Sequence, residues 1–162
     1  MVRKLVSLVV ALAVSAPLFA FDATHHAIAV RGMLAEALVE AMNRERAAAG
    51  LAPLRLNEAL SAAADDRMHD MFAKHYFNHI SPDGIDPFSW ADRRGYNYRA
   101  IGENLAVGYP TASDVVYGWM HSEGHRQNVL GRDYDEIGIA IADSAPARPF
   151  HAPTVVALYG KR

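Results

Sequence analysis

The sequence predicts an α+β fold in which helices come first and a pair of strands closes the chain. Three observations carry that expectation. Apolar residues recur at helical spacing through Leu34, Leu38, Val39 and Met42, and again through Leu60, Ala64, Met68, Met71, Phe72 and His75. Cap-forming residues stand where those helices should start, Asn57 before the second and Thr111 or Ser113 before a later one. Two β-rich runs, Ile137–Ala142 and Thr154–Tyr159, end the chain.

In chain order, residues 1–20 differ in kind from the rest. Arg3 and Lys4 open them, Leu5–Ala16 is almost wholly apolar, Pro17 breaks the segment and small Ala20 offers a cleavage point. That pattern is a secretory signal peptide. Its apolar stretch is shorter than the roughly 20 residues that span a bilayer, so no transmembrane span is expected once it is removed. Residues 21–31 read as a tether, and 32–162 as a single domain. The first helix should run from about Gly32 to Ala49, stopped by Gly50, with Leu51–Leu56 as a connector. The second starts after Asn57, and its apolar stripe reads as core.

A turn-rich loop follows over Asn78–Asp86, then a short helix, Phe88–Arg94, opened by Pro87 and closed by Gly95. Ala100–Tyr109 reads as a glycine-punctuated loop or extended run. The next helix carries Val115, Val116, Trp119 and Met120 and should fail at Gly124. Trp119 is expected in the core beneath any cleft this helix borders. The two strands are separated by a proline-containing loop, Asp143–Pro153.

Composition narrows the chemistry. Sixteen basic residues against eighteen acidic ones give no electrostatic support for a nucleic-acid partner. Removing Arg3 and Lys4 leaves 14 basic and 18 acidic residues, a charge of −4. There is no cysteine, which excludes a thiolate nucleophile, a redox pair and a thiolate metal site. A chain of this length can bury enough core to be exported without disulfides, and a periplasmic or extracellular location is expected.

Histidine, glutamate and glycine concentrate in three segments. The first is His75-Tyr76-Phe77-Asn78-His79-Ile80-Ser81-Pro82-Asp83-Gly84, and the second Ile101-Gly102-Glu103-Asn104-Leu105-Ala106. The third runs Trp119-Met120-His121-Ser122-Glu123-Gly124-His125-Arg126-Gln127-Asn128-Val129-Leu130. In this order they resemble the CAP superfamily: the cysteine-rich secretory proteins, antigen 5 and the plant pathogenesis-related proteins. Met42–Arg46 followed by Gly50–Leu54 resembles the opening of its short, bacterial, SCP-like members. The resemblance covers roughly Leu34 to Gly160.

It implies an α-β-α sandwich, with a small antiparallel sheet between helices and a cleft where two histidines face one or two acidic residues. His79, Glu103 and His125 match three of those positions. Many members carry a glutamate at the fourth, where this chain has Ser122, as short bacterial relatives often do. Glu123, one residue on, would lie about 100° around a continuous helix and need not face the cleft.

Two imidazoles and a carboxylate suit a divalent metal such as zinc, with His79 and His125 as ligands and Glu103 as a third, leaving a position for water. The same three side chains also suit a metal-free hydrogen-bonded network. His121 and His125 do not form the zinc-protease pattern, because Ser122 stands where that pattern needs glutamate. The His75/His79 pair has the same spacing, with a helix stop expected near Asn78. No Gly-x-Ser-x-Gly elbow and no phosphate-cradling glycine loop is present. A non-enzymatic exported domain binding a lipid, an envelope component or a protein is the leading expectation. A metal-dependent hydrolase comes second and a purely structural envelope protein third.

Overall fold

The computed structural model describes residues 19–146 and 152–162, with side chains from Leu34 onward. Residues 1–18, most of the expected signal peptide, lie outside the described residues, as do 147–151 of the last loop. α1 spans Phe19–Ala48, so its backbone begins well before Gly32 and the segment expected as a tether is helical. That segment holds alanines and no proline, so nothing in it stops the helix from extending towards the N-terminus. The helix ends as expected: Gly50 takes φ 69°, and Leu51 N–H closes on the Arg46 carbonyl at 2.9 Å.

The expected connector contains a two-residue strand, β1 (Arg55–Leu56). Asn57 then caps α2 (Glu58–Ala73), its side-chain oxygen accepting from Leu60 N–H at 3.1 Å. α3 is Ser89–Arg93. The glycine-punctuated run is a strand, β2 (Ala100–Val107). α4 (Ala112–Met120) is capped by Thr111. The helix fails at His121 and Ser122, earlier than expected, and a new one, α5 (Glu123–Val129), carries Gly124 inside it. Extended backbone at Ser122 restarts the helix at Glu123, so Gly124 costs propensity without ending it. β3 (Glu136–Ala142) and β4 (Thr154–Lys161) match the two terminal β-rich runs.

The strands lie in the order β1-β3-β4-β2. β4 pairs antiparallel with both β3 and β2, while β1 pairs parallel with β3. The sheet is therefore mixed, with a short parallel edge added to the expected antiparallel strands.

Alternation along β4 divides the core in two. Val155, Ala157 and Tyr159 join Leu38, Met42, Val116, Trp119 and Val129 on the α1/α4/α5 face. Val156 and Leu158 join Leu60, Ala64, Met68 and Met71 on the α2/α3 face. This is an α-β-α sandwich. α2 lies directly on β3 at Gly138, where a Cβ would fall 2.0 Å from the Leu60 carbonyl carbon, so only glycine fits.

β2 is an edge strand, and its outward carbonyls are occupied by side chains instead of another strand. Ile101 O accepts from Tyr134 OH at 3.2 Å, Glu103 O from Asn128 Nδ2 at 3.0 Å and Leu105 O from Trp119 Nε1 at 3.1 Å. These donors blunt the edge against pairing with other chains. Trp119, 1% exposed, lies in the core as expected. Among the described residues no helix is long and apolar enough to cross a membrane.

Candidate functional site

The site gathers around Glu103 and has two arms. Glu103 faces α2 from the middle of β2, and its carboxylate is 1% exposed. One oxygen accepts from Arg67 Nε at 3.1 Å, the other lies 2.7 Å from His79 Nδ1. An ionised carboxylate only accepts, so His79 carries its proton on Nδ1 toward Glu103. The His79 side chain is 51% exposed, leaving the rest of its ring accessible.

Arg67 is fully buried on the apolar side of α2. Besides Glu103 it donates to Tyr76 OH, to the Asn78 carbonyl and, at 2.9 Å, to the His79 carbonyl. A single guanidinium thus ties the strand that carries Glu103 to the loop that carries His79. Tyr76 OH in turn donates a hydrogen bond to Asp70 at 2.6 Å, and burial together with Asp70 pushes the Tyr76 phenol up to about 12.

The second arm comes from α5. His125 Nδ1 lies 2.9 Å from Ser122 Oγ. The His125 carbonyl accepts from Asn104 Nδ2 at 3.0 Å, and Asn128 Nδ2 reaches Asn104 Oδ1 at 2.8 Å, which locks α5 onto β2. Asn104 also donates to Tyr159 OH at 3.1 Å on the opposite face of the sheet from Glu103. Buried Arg46 holds the far end of α5, donating to the Val129, Gly131 and Tyr134 carbonyls, a cation where the helix dipole favours one.

The two imidazoles are pushed in opposite directions. The hydrogen bond from Glu103 raises His79 above the ordinary histidine value, against opposition from burial. Burial, then the nearby charge of His79, lowers His125.

The other sequence candidates do not join them. Glu123 is exposed on the first turn of α5 and bonds its own helix neighbour Gln127. His121 is exposed and stacks on Tyr117, with ring centres 3.9 Å apart. His75 lies past the end of α2 with φ 53°, exposed instead of continuing the core stripe. Ser122 takes the position beside His125 that the resemblance left open.

Sequence reasoning missed Arg67. Its signal is visible in retrospect, because it falls on the α2 stripe between Ala64 and Met68, where an arginine must find a buried acceptor. The asparagines that brace the cleft, Asn104 and Asn128, lay within the segments noted but carried no role.

Each oxygen of the Glu103 carboxylate already takes part in one hydrogen bond, with Arg67 or with His79. Among the described residues no group of three or more His, Asp or Glu side chains forms a metal-holding cluster. The donors that fit are the Nε2 atoms of His79 and His125, since each Nδ1 is engaged. Glu103 would then orient His79 without ligating.

Comparison with known proteins places this architecture. The model of CAP, the cysteine-rich secretory protein family, matches residues 39–156. The Bacillus subtilis (strain 168) protein YkwD is 42% identical over 107 residues, 66% of this chain and 42% of that protein. The membrane protein YlbC of the same organism is 29% identical over 104 residues, 64% of this chain and 30% of that protein. The chain thus spans less than half the length of these two curated relatives.

Among solved structures, an extracellular SCP-domain protein of Bacillus anthracis is similar with TM-score 0.69 at 22% identity, covering 78% of this chain and 40% of its own. An outer surface protein of Borrelia burgdorferi also reaches TM-score 0.69, at 21% identity, covering 78% of this chain and 91% of its own. With the family's model matching residues 39–156, most of the chain, this chain belongs to CAP, the cysteine-rich secretory protein family.

Proposed function

We propose that this chain is an exported CAP domain that binds a ligand or envelope partner through the cleft of His79, Glu103 and His125. The observation that carries the reading is the commitment of Glu103. Both its oxygens are taken, by Arg67 and His79, inside a buried pair. It acts as a fixed group that orients His79, so the cleft offers two held imidazole edges for recognition. Export draws support from Arg3, Lys4 and the apolar stretch that follows. The solved relatives described as extracellular and outer-surface proteins point the same way. Mass spectrometry of native material should find the mature N-terminus near Phe21, and an intact Met1 would contradict export by signal cleavage.

The binding reading is tested by following histidine-ring NMR signals while envelope lipid vesicles, then a soluble envelope extract, are added. A cleft ligand moves His79 and His125 together and leaves exposed His69 and His121 in place. Movement of His69 or His121 alone, or of no ring, contradicts it.

A second reading is favoured by the two free Nε2 atoms: a divalent metal held by His79 and His125. Bound zinc would supply a polarised water. Zinc at a hundredfold excess over its dissociation constant should then stabilise the fold by ~2.7 kcal/mol in a thermal melt. That gain should vanish in His79→Ala and in His125→Ala but persist in His121→Ala.

A further inference from the structure

We propose that Ser122 is an acyl-accepting nucleophile, activated by His125, for ester-type acyl donors that enter the cleft. The placement of its hydroxyl carries the proposal. Ser122 stands directly before α5 in extended backbone, φ −119° and ψ 120°, where a serine ordinarily turns its oxygen onto a backbone N–H of the first turn. The equivalent residues of α2 and α4 do so. Asn57 accepts from Leu60 N–H at 3.1 Å, and Thr111 from Asp114 N–H at 3.2 Å. Ser122 makes no capping bond. Its Oγ lies instead 2.9 Å from His125 Nδ1, so helix capping does not account for where the hydroxyl sits.

A serine hydroxyl is a weak nucleophile until a base within hydrogen-bond reach takes its proton, and His125 Nδ1 is in that reach. His125 is in turn anchored through its main chain, its carbonyl held by Asn104. Both residues are part-exposed, so an acyl group can approach them. The chain has no nucleophile elbow, and this pair arises from a helix start instead.

The step balances with an ester and water alone. Ser122 Oγ bonds to the acyl carbon while its proton moves to His125 Nδ1. The bond from the acyl carbon to the leaving oxygen breaks, and that oxygen takes the proton from His125. Water then repeats the sequence on the Ser122 ester, releasing the acid and restoring the hydroxyl. Esters suit the site better than amides, because an alkoxide leaves an acyl carbon more readily than an amine does.

This goes beyond the binding reading and needs no metal. The test is incubation of the full chain with a fluorophosphonate probe, followed by intact mass and peptide mapping. The proposal predicts a single adduct on Ser122, absent in Ser122→Ala. In His125→Gln labelling should be slower by roughly a hundredfold, the scale of a lost general base, and in His121→Ala it should be unchanged. Thermal melts confirm that each variant is folded, and His125→Asn replaces the glutamine variant should that one fail to fold. Labelling of Ser122 no faster than in the urea-unfolded chain overturns the proposal. So does equal labelling in folded His125→Gln or His125→Asn. The His79 and His125 ring response to a cleft ligand is read in the unmutated chain without the probe, so failure of the nucleophile and failure of the binding reading give different results.

Discussion

The two arms of the cleft are built on opposite principles. The His79 arm is non-local: Arg67 from α2, Glu103 from β2 and the loop after α2 meet only once the sheet has formed. The His125 arm is local, a contact between residues 122 and 125 at the start of one short helix. The non-local arm surrounds its imidazole with charge and raises it, while the local arm meets its imidazole with a neutral hydroxyl and burial, and lowers it. One cleft thereby holds two chemically identical side chains that protonate in separate pH ranges. Environments that push paired groups apart in this way are how a site separates donor from acceptor.

The largest break of that comparison is Arg67→Met. It leaves Glu103 as a buried carboxylate without its guanidinium, a loss of about 3–5 kcal/mol for a buried pair deprived of one partner. The loop carbonyls of Asn78 and His79 lose their donor as well. Denaturant unfolding checks this, and a cost below about 1 kcal/mol would mean that the non-local arm contributes little. Ser122→Ala is the matching break in the local arm. It removes one hydrogen bond and should cost about 0.5–1.5 kcal/mol, with the Arg67 network untouched in the histidine-ring and arginine-side-chain NMR spectra.

Legibility in the sequence follows the same division. Local chemistry could be read: the apolar stripe of α2, the caps at Asn57 and Thr111, the stop at Gly50 and the burial of Trp119 are properties of short windows. Even here two windows misled. Gly124 was weighed by propensity alone, whereas the extended backbone at Ser122 ends one helix and starts the next. His75 continued the stripe in spacing but lies beyond Ala73, where the helix has ended.

What could not be read was pairing across the fold. The two residues of β1 find their partner 81 positions away at β3, and Arg67 finds Glu103 36 positions away. The family resemblance brought His79, Glu103 and His125 together, and it said nothing of the arginine that occupies the glutamate. That arginine and His79 each hydrogen-bond one oxygen of the Glu103 carboxylate.

The smallest effects are in the pH dependence of stability, and they sharpen the comparison. His79 is raised in the fold, so its contribution is fully present below the unfolded value of about 6.5 and is lost as pH rises through the folded value. His125 is lowered, so its contribution is present above about 6.5 and is lost as pH falls through its folded value. The destabilisation caused by His79→Ala should therefore grow as pH is lowered from 8 toward 6. That caused by His125→Ala should shrink as pH is lowered from 7 toward 5. Melting temperatures of both variants across that range check the two opposite slopes, and parallel slopes would mean that the arms do not differ.

The most direct measurement is the pH titration of the His79 and His125 ring signals in the full chain, repeated in Glu103→Gln. The account predicts that His79 titrates above the ordinary histidine value and His125 below it. Replacing the carboxylate should bring His79 down while leaving His125 below the ordinary value through its burial. Two rings titrating together, or a His79 unmoved by Glu103→Gln, would contradict the paired, oppositely tuned cleft on which the proposed function rests.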